Sequence, residues 1–280
     1  MIDTSIVILL VAEIIIAATT PLLFFAIIRF RRLCNFAPFA AGLFVYLVIY
    51  PIELVVRGYL LYDGEALRSV FANSTVLYVA ASGAITLIFN ELIMFIVFKY
   101  IVRESNRRHD GLVFGAGFVL VDVIVRTFYG AFYPAMAAGL INEAGPDAFI
   151  ASQEDAVKAG ELVKGMQELS HSGIILDTIN LLLLIAIQVG LSMICFYAIR
   201  KKSVQFIGLA CVLDFLYILP NTLVTGEVVS GGVAVVLFSA FFALLIVYVA
   251  ARLFKDYDRK SVYPDIKTFF GIGGRRLGKE

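Results

Sequence analysis

Three carboxylic acids lie deep inside long apolar stretches of this sequence, namely Glu91, Asp122 and Asp214. An ionised group at the centre of a bilayer costs about 3 kcal/mol or more, so acids at such positions usually serve a function. Acids in a buried site can activate water for peptide hydrolysis or relay protons. We therefore treat the three acids as candidate catalytic residues.

The chemistry open to these acids is limited by the scarcity of imidazole. The sequence has two histidines, His109 in a predicted inner connection and His171 at the outer edge of a predicted span. A transition metal would have mostly carboxylate ligands, which suit hard ions better than zinc. We therefore expect no cofactor, and a divalent metal only if the three acids converge.

Further polar residues in the apolar stretches predict a groove inside a helix bundle, because such residues usually face the interior and pair with one another. Asp122 and Arg126 are four residues apart, which places them on one face of a helix where they can form an ion pair. The predicted groove residues are Asn90, Arg126, Asn180, Gln188, Asn221, Glu13 and Glu53.

Membrane-spanning helices must position these residues. Hydrophobic residues make up 61% of the 280 positions and charged residues 16%, which excludes an ordinary soluble domain. Runs of about 20 apolar residues predict an all-α polytopic membrane protein, a bundle of seven transmembrane helices. The predicted spans are 5–28, 37–56, 76–98, 111–140, 173–199, 204–224 and 233–254. The fourth is long enough to tilt, or to bend near Pro134.

The basic residues predict the orientation of this bundle. Of the 23 Lys and Arg residues, 18 lie in alternate connections and the C-terminal segment, which predicts an outside N-terminus and an inside C-terminus. Residues 1–254 would form the bundle and 255–280 a basic cytoplasmic tail. The longest outer connection, 141–172, has an apolar pattern that predicts an amphipathic outer helix near 147–169. The expected location is a bacterial cytoplasmic membrane, with the lipid bilayer as partner and no nucleic acid.

Several blocks of sequence resemble a known family. Pro21 in the first span is followed by the block from Asn90-Glu91 to Phe98-Lys99, by Asp110 to Gly117, by Tyr197 to Arg200 and by Ala210 to Pro220. In order and spacing, these blocks are similar to the YhfC-like family of intramembrane peptidases, relatives of PrsW and the CAAX-prenyl endopeptidases. The resemblance implies a glutamate-based or metal-assisted hydrolase fold.

At the family's functional positions this sequence departs from the pattern. The resemblance implies paired glutamates in the third span, where Asn90 and Glu91 stand. It also implies histidines where Phe118, Gln188 and Asp214 stand, and an acid where Ile218 stands. It implies a glutamate where Asp122 stands, one methylene shorter. A shortened base can misplace a water by about 1 Å, which can cost on the order of a hundredfold in rate.

Three functional hypotheses follow. The first is a divergent, catalytically impaired intramembrane-peptidase-like protein that binds transmembrane segments of a partner in the polar groove. The second is an active intramembrane peptidase that uses Glu91 with Asp122 or Asp214. The third is a solute or proton transporter, although no inverted repeat is visible in the sequence.

Overall fold

The computed structural model describes residues 2–63, 74–153, 155–225 and 232–257, and the secondary structure in these ranges is helical throughout. Six helices in these ranges are long and apolar enough to cross a membrane. They are α1 (Thr4–Phe30), α2 (Phe36–Leu61), α3 (Val76–Ile101), α4 (Arg108–Ala144), α7 (His171–Arg200) and α9 (Val233–Asp256). The predicted all-α, multi-pass class is confirmed.

The remaining predicted span, 204–224, is the sixth of the seven and corresponds to α8 (Val204–Thr225). Its clearly apolar part, Val204–Pro220, is shorter than the other spans. The number of seven spans therefore stays a prediction, as does the predicted orientation. Helix α9 continues to Asp256, just beyond the predicted boundary of the bundle, and residues 258–280 of the predicted tail lie outside the described residues.

The connection between α4 and α7 forms two helices, α5 (Pro146–Ser152) and α6 (Ala156–Glu168). The single helix predicted near 147–169 is wrong in this respect. Asp155 begins the second helix, because its side chain accepts a hydrogen bond from the Lys158 backbone N–H. This hydrogen bond lowers the pKa of Asp155.

The amphipathic pattern predicted for this connection is present in α6. Its apolar residues Ala159, Val163 and Met166 are buried. They belong to a hydrophobic cluster with Ile6 and Leu10 of α1 and several residues of α4. The connection therefore covers the end of the bundle where α1 begins.

Helix α4 contains an irregular turn close to its proline. Residues Phe128–Phe132 form a π-helical turn, and Pro134 stands in the first turn of the α-helical segment after it. A proline inside a regular helix removes one backbone hydrogen bond and clashes with the preceding turn. The wider turn accommodates Pro134 at the position where the sequence predicts a bend.

Small residues let α4 approach its neighbours at backbone distance. A Cβ atom on Gly115 would lie 2.8 Å from the Cα of Val189 in α7, and one on Gly117 would clash with the backbone oxygen of Phe39 in α2. Ser192 of α7 also donates a hydrogen bond to the Gly111 carbonyl at 2.6 Å. This close packing fixes α2, α4 and α7 relative to one another.

The turns rich in basic residues meet at one end of the bundle, which we call the basic end. Arg200 at the end of α7 donates a hydrogen bond to the Val102 carbonyl at 2.6 Å. The Tyr257 hydroxyl donates to the Asn106 carbonyl at 3.0 Å. These contacts tie the α3–α4 turn to the ends of α7 and α9.

Candidate functional site

A polar cavity of about 590 Å³ lies between α1, α2, α3, α4, α7 and α8. Ligand sites commonly have volumes of roughly 300–1,000 Å³, so the cavity is large enough for a small molecule or a few side chains. Asp122 lines it, and at 1.5 Å per residue Asp122 is about 21 Å along α4 from Arg108 at the basic end. The cavity therefore occupies the half of the bundle away from the basic end.

Most of the predicted groove residues line this cavity. They are Glu13, Glu53, Asn90, Arg126, Asn180 and Gln188. The side chain of Asn221, the seventh predicted residue, lies outside the described residues. Polar residues from several spans thus surround one space.

Asp122 acts as the counter-ion of Arg126. The Nε atom of Arg126 donates to Oδ1 of Asp122 at 2.7 Å, and the Tyr46 hydroxyl donates to the same oxygen at 2.7 Å. The predicted ion pair along α4 is therefore present, with a tyrosine from α2 added. Because one oxygen of Asp122 already accepts two hydrogen bonds, its first role is to hold Arg126 at the cavity wall.

A second ion pair, between Glu53 and Arg57 of α2, also lines the cavity. The Nε atom of Arg57 lies 2.8 Å from Oε1 of Glu53. Arg57 also donates to the hydroxyl of Ser82 at 2.9 Å and to that of Thr86, so it joins α2 to α3. Sequence reasoning missed Arg57 because it stands at the end of a predicted span. The four-residue spacing between Glu53 and Arg57 was the available signal.

Glu91 and Asp214 form a separate, fully buried site that does not contribute to the cavity wall. Oε2 of Glu91 accepts a hydrogen bond from the Cys195 thiol at 2.7 Å. Asn90, which does line the cavity, donates to Oδ2 of Asp214 at 3.4 Å. The three candidate acids therefore do not share one chamber, and Asn90 stands between the two sites.

Each buried acid keeps one oxygen without a hydrogen-bond partner among the described residues, Oε1 in Glu91 and Oδ1 in Asp214. The two carboxyl groups are close enough to interact electrostatically. We call this pair, with Cys195, the buried acid site. Buried carboxyl groups without partners for all their oxygens destabilise the folded state unless the groups are neutralised.

Both histidines lie outside these two sites. The His109 ring packs against Phe254, with ring centroids 5.0 Å apart. The Nε2 atom of His171 lies 2.6 Å from the Ser5 hydroxyl and 3.9 Å from Oδ2 of Asp3, which connects the N-terminal ends of α7 and α1. A backbone hydrogen bond from Ser5 lowers the pKa of Asp3.

Comparison with known proteins places this bundle in a family. A family profile described as YhfC intramembrane metalloprotease matches residues 15–251. The chain belongs to the YhfC intramembrane metalloprotease family. A curated relative, the uncharacterized membrane protein YhfC of Bacillus subtilis (strain 168), is 26% identical over 164 residues, which are 58% of this chain and 62% of that protein. No solved structure matches the chain.

Family membership confirms the resemblance drawn from the sequence and supports an intramembrane-peptidase-like membrane protein. The family description implies a catalytic metal, and zinc in such enzymes usually takes three protein ligands from His, Cys, Asp and Glu. Within the described part of this YhfC-family chain, no group of three or more such residues is arranged to hold a metal ion.

The residues near the cavity that could ligate a metal are engaged elsewhere or replaced by apolar residues. Asp122 and Glu53 are engaged by arginines, and Phe118, which stands where the resemblance implies a histidine, is packed against Tyr46 with ring centroids 4.9 Å apart. Ile218 lines the cavity as an apolar residue one turn after Asp214. The residues present do not fit a zinc centre of the kind that the family's description implies.

Proposed function

We propose that this YhfC-family chain is impaired as a peptidase and that it binds the polar part of a partner's transmembrane segment in the cavity. The observation that carries this proposal is the state of the candidate acids. Asp122, the one that lines the cavity, is held by Arg126 and Tyr46, whereas Glu91 bonds to Cys195 outside it. A water bound in the cavity would have no free acid of this set to activate it.

The size of the cavity limits what enters it. A helix of 20 residues, about 10 Å across and 30 Å long, occupies roughly 2,400 Å³. The cavity, at about 590 Å³, is smaller than such a helix. A polar side chain, or a short unwound stretch, would enter the cavity while the rest of the partner helix lies along the apolar surface of the bundle.

Photocrosslinking in membranes tests this binding. A photoreactive amino acid replaces Asn180, which lines the cavity, and in a matched control it replaces the neighbouring exposed residue Ile179. We expect a protein adduct from position 180 that is absent from position 179, with the partner at full length. Adducts of equal yield at both positions, or a shortened partner, would contradict the proposal.

Active peptidase chemistry is a second candidate, because Glu91 and Asp214 interact electrostatically and each has an unpartnered oxygen among the described residues. Acid pairs can hydrolyse peptides without histidine. In proteoliposomes, this candidate requires cleavage of the captured partner that is lost in Glu91→Gln and retained in Asp122→Asn. Equal amounts of intact partner with wild type and Glu91→Gln would reject it.

We also propose that the basic end faces the cytoplasm of a bacterium, with the N-terminus outside. Support comes from the clustering of Arg200 with the α3–α4 turn and the end of α9, since cytoplasmic loops carry an excess of Lys and Arg. Fusions of alkaline phosphatase and of green fluorescent protein after residue 257 test this. Only the fluorescent fusion should be active, and the opposite result would reverse the orientation.

A further inference from the structure

One wall of the cavity is acidic and lacks a counter-ion. Glu13 of α1 and Asp177 of α7 both line the cavity, and Asp177 is close enough to act electrostatically on Glu13. Neither forms an ion pair with a Lys, Arg or His side chain in the described ranges 2–63, 74–153, 155–225 and 232–257. The other two acids of the lining, Glu53 and Asp122, are each paired with an arginine.

The lining as a whole therefore has more acids than bases. Its four acids, Glu13, Glu53, Asp122 and Asp177, face two arginines, Arg57 and Arg126, which leaves two carboxyl groups without a basic partner. Glu13 is only 5% exposed, so water compensates its charge poorly. A positive charge in the cavity would be attracted to this wall.

An amide of α7 adds a hydrogen-bond acceptor deeper in the cavity. Asp177, Asn180, Leu184 and Gln188 follow one another at three- and four-residue steps, so they share the face of α7 that lines the cavity. Gln188 is 3% exposed, and its Oε1 atom has no hydrogen-bond partner among the described residues. A buried acceptor without a donor costs free energy, which a ligand carrying N–H groups would recover.

The acids of this wall are poorly suited to a bare metal ion. No three acids, cysteines or histidines of the described residues are grouped to hold one. Leu181 and Leu184 lie beside the polar groups and offer an apolar wall to an alkyl chain. Together these features fit a charged nitrogen on an apolar stem, as in a lysine or arginine side chain.

We propose that the cavity binds an alkylammonium or guanidinium group, with Glu13 and Asp177 as its counter-ions and Oε1 of Gln188 as a further acceptor. This inference rests on the proposed function where the cation belongs to a partner's transmembrane segment, as a Lys or Arg side chain. A free alkylamine carries the same chemistry and is the other source.

The absence of tryptophan from the sequence gives a direct assay. Two 20-residue helical peptides of Leu and Ala carry one Trp each and differ at the central position, Lys in one and norleucine in the other. Trp anisotropy measures their binding to the purified full chain in nanodiscs. We expect the Lys peptide to bind at least about tenfold more tightly than its norleucine counterpart.

Charge-removing variants locate the effect. Glu13→Gln together with Asp177→Asn should remove the preference for Lys, and Asp177→Asn alone should reduce it. Asp177 is exposed, so the single variant is expected to fold even if burial of Gln at position 13 is not tolerated. Glu161→Gln is the matched control, because it removes one charge from an exposed site in α6 that does not line the cavity.

The outcomes separate this inference from the proposed function. If both peptides bind wild type equally and the acid variants change nothing, segment binding stands and the cation site is rejected. If neither peptide binds, calorimetry with butylamine and spermidine decides. Binding that Asp177→Asn weakens would support the cation site with a free amine as its source and contradict the partner segment. No binding of peptides or amines would overturn both.

Discussion

The same two helices, α4 and α7, behave differently in the two halves of the bundle. Toward the basic end they touch at backbone distance, where Gly111 and Gly115 face Phe196, Ser192 and Val189. Farther along, around Asp122 and Gln188, they border the polar cavity. Helices in a membrane approach closely where residues are small, and larger polar side chains hold them apart. The tightly packed half is thus the support that fixes the position of the cavity.

This difference bears on function as well as stability. Side chains in a binding site need to be held by a rigid surround. The ion pairs of the cavity connect neighbouring positions on one helix, whereas in the tightly packed half Ser192 of α7 donates a hydrogen bond to the Gly111 carbonyl of α4. We therefore expect substitutions in the tight half to affect the whole fold, and those in the cavity to affect binding with smaller losses of stability.

The largest expected effect is that of Gly117→Ala. A Cβ atom at this position clashes with the backbone oxygen of Phe39, and backbone cannot give way as a side chain can. We expect the free energy of unfolding to fall by about 3 kcal/mol or by more, at the upper end for overpacking. Thermal unfolding in detergent and the yield in the membrane fraction measure the loss.

Gly130→Ala, in the same helix, is the control for this comparison. No atom lies within 4 Å of the position a Cβ would occupy there. Its unfolding temperature should equal or slightly exceed that of wild type, since alanine favours helix over glycine by about 1 kcal/mol. Equal losses in both variants would mean that the close approach of α4 and α2 does not support the bundle.

Asp122→Asn should have the next largest effect. The change leaves the Arg126 charge without its counter-ion and weakens the bond from Tyr46. We expect a loss of about 2 kcal/mol, less than for a fully buried pair because the Arg126 side chain is 58% exposed in the cavity. A double variant with Arg126→Gln should recover part of this loss in thermal unfolding.

The ion pair Lys164–Glu168 in α6 provides the matched comparison. Its atoms are 3.9 Å apart and both side chains are mostly exposed. Glu168→Gln should leave the unfolding temperature unchanged, since exposed pairs contribute little. If Asp122→Asn were equally silent, Asp122 would have to be free of Arg126 in the membrane, which would revive it as a catalytic base.

Cys195→Ala tests the buried acid site. It removes the hydrogen bond to Oε2 of Glu91 and leaves that carboxyl with no donor among the described residues. A loss of about 1–2 kcal/mol is expected, and Cys195→Ser, which keeps a donor, should lose less. Cys211→Ala is the control. If Cys195→Ser has a lower unfolding temperature than Cys195→Ala, the stability of the buried acid site does not depend on the hydrogen bond to Glu91.

Much of the helical fold could be predicted from the sequence, because the length of apolar stretches is a strong signal in a membrane chain. The position of Asn180, Gln188 and Glu13 inside apolar stretches also placed them in one predicted groove. The rotation of a helix about its axis is a weaker signal. Glu91 and its neighbour Asn90 differ by one position, yet only Asn90 lines the cavity.

Partners from other helices were beyond prediction for a related reason. The ion pair of Asp122 and Arg126 was visible because both residues belong to one helix. The bonds from Tyr46 to Asp122 and from Cys195 to Glu91 join residues 76 and 104 positions apart, and no local pattern encodes them. Asp177 was missed because it stands near the end of a span, where an acid usually faces water.

The smallest loss of stability is expected at the end of the bundle beyond the cavity. There the side-chain amide of Asn142 holds the backbone of Ile2, just before α1 begins. The Ile2 N–H donates to Oδ1 of Asn142 at 2.6 Å, and Nδ2 of Asn142 donates to the Ile2 carbonyl at 2.9 Å. Asn142→Ala removes both bonds and should cost about 1 kcal/mol. Asn142→Asp keeps only the acceptor and should fall between alanine and wild type.

The exchange rates of backbone amides detect the loss of these hydrogen bonds more directly than global unfolding does, because the start of a helix can open while the bundle stays folded. Amides at the start of α1 should exchange faster in Asn142→Ala, whereas those around Gly115 in the tight half should not change. Glu143→Ala, at the neighbouring exposed residue, should leave both regions at the wild-type rate. Faster exchange around Gly115 as well would mean that the two halves open together, and the contrast between a rigid support and a separately held cavity would then be wrong.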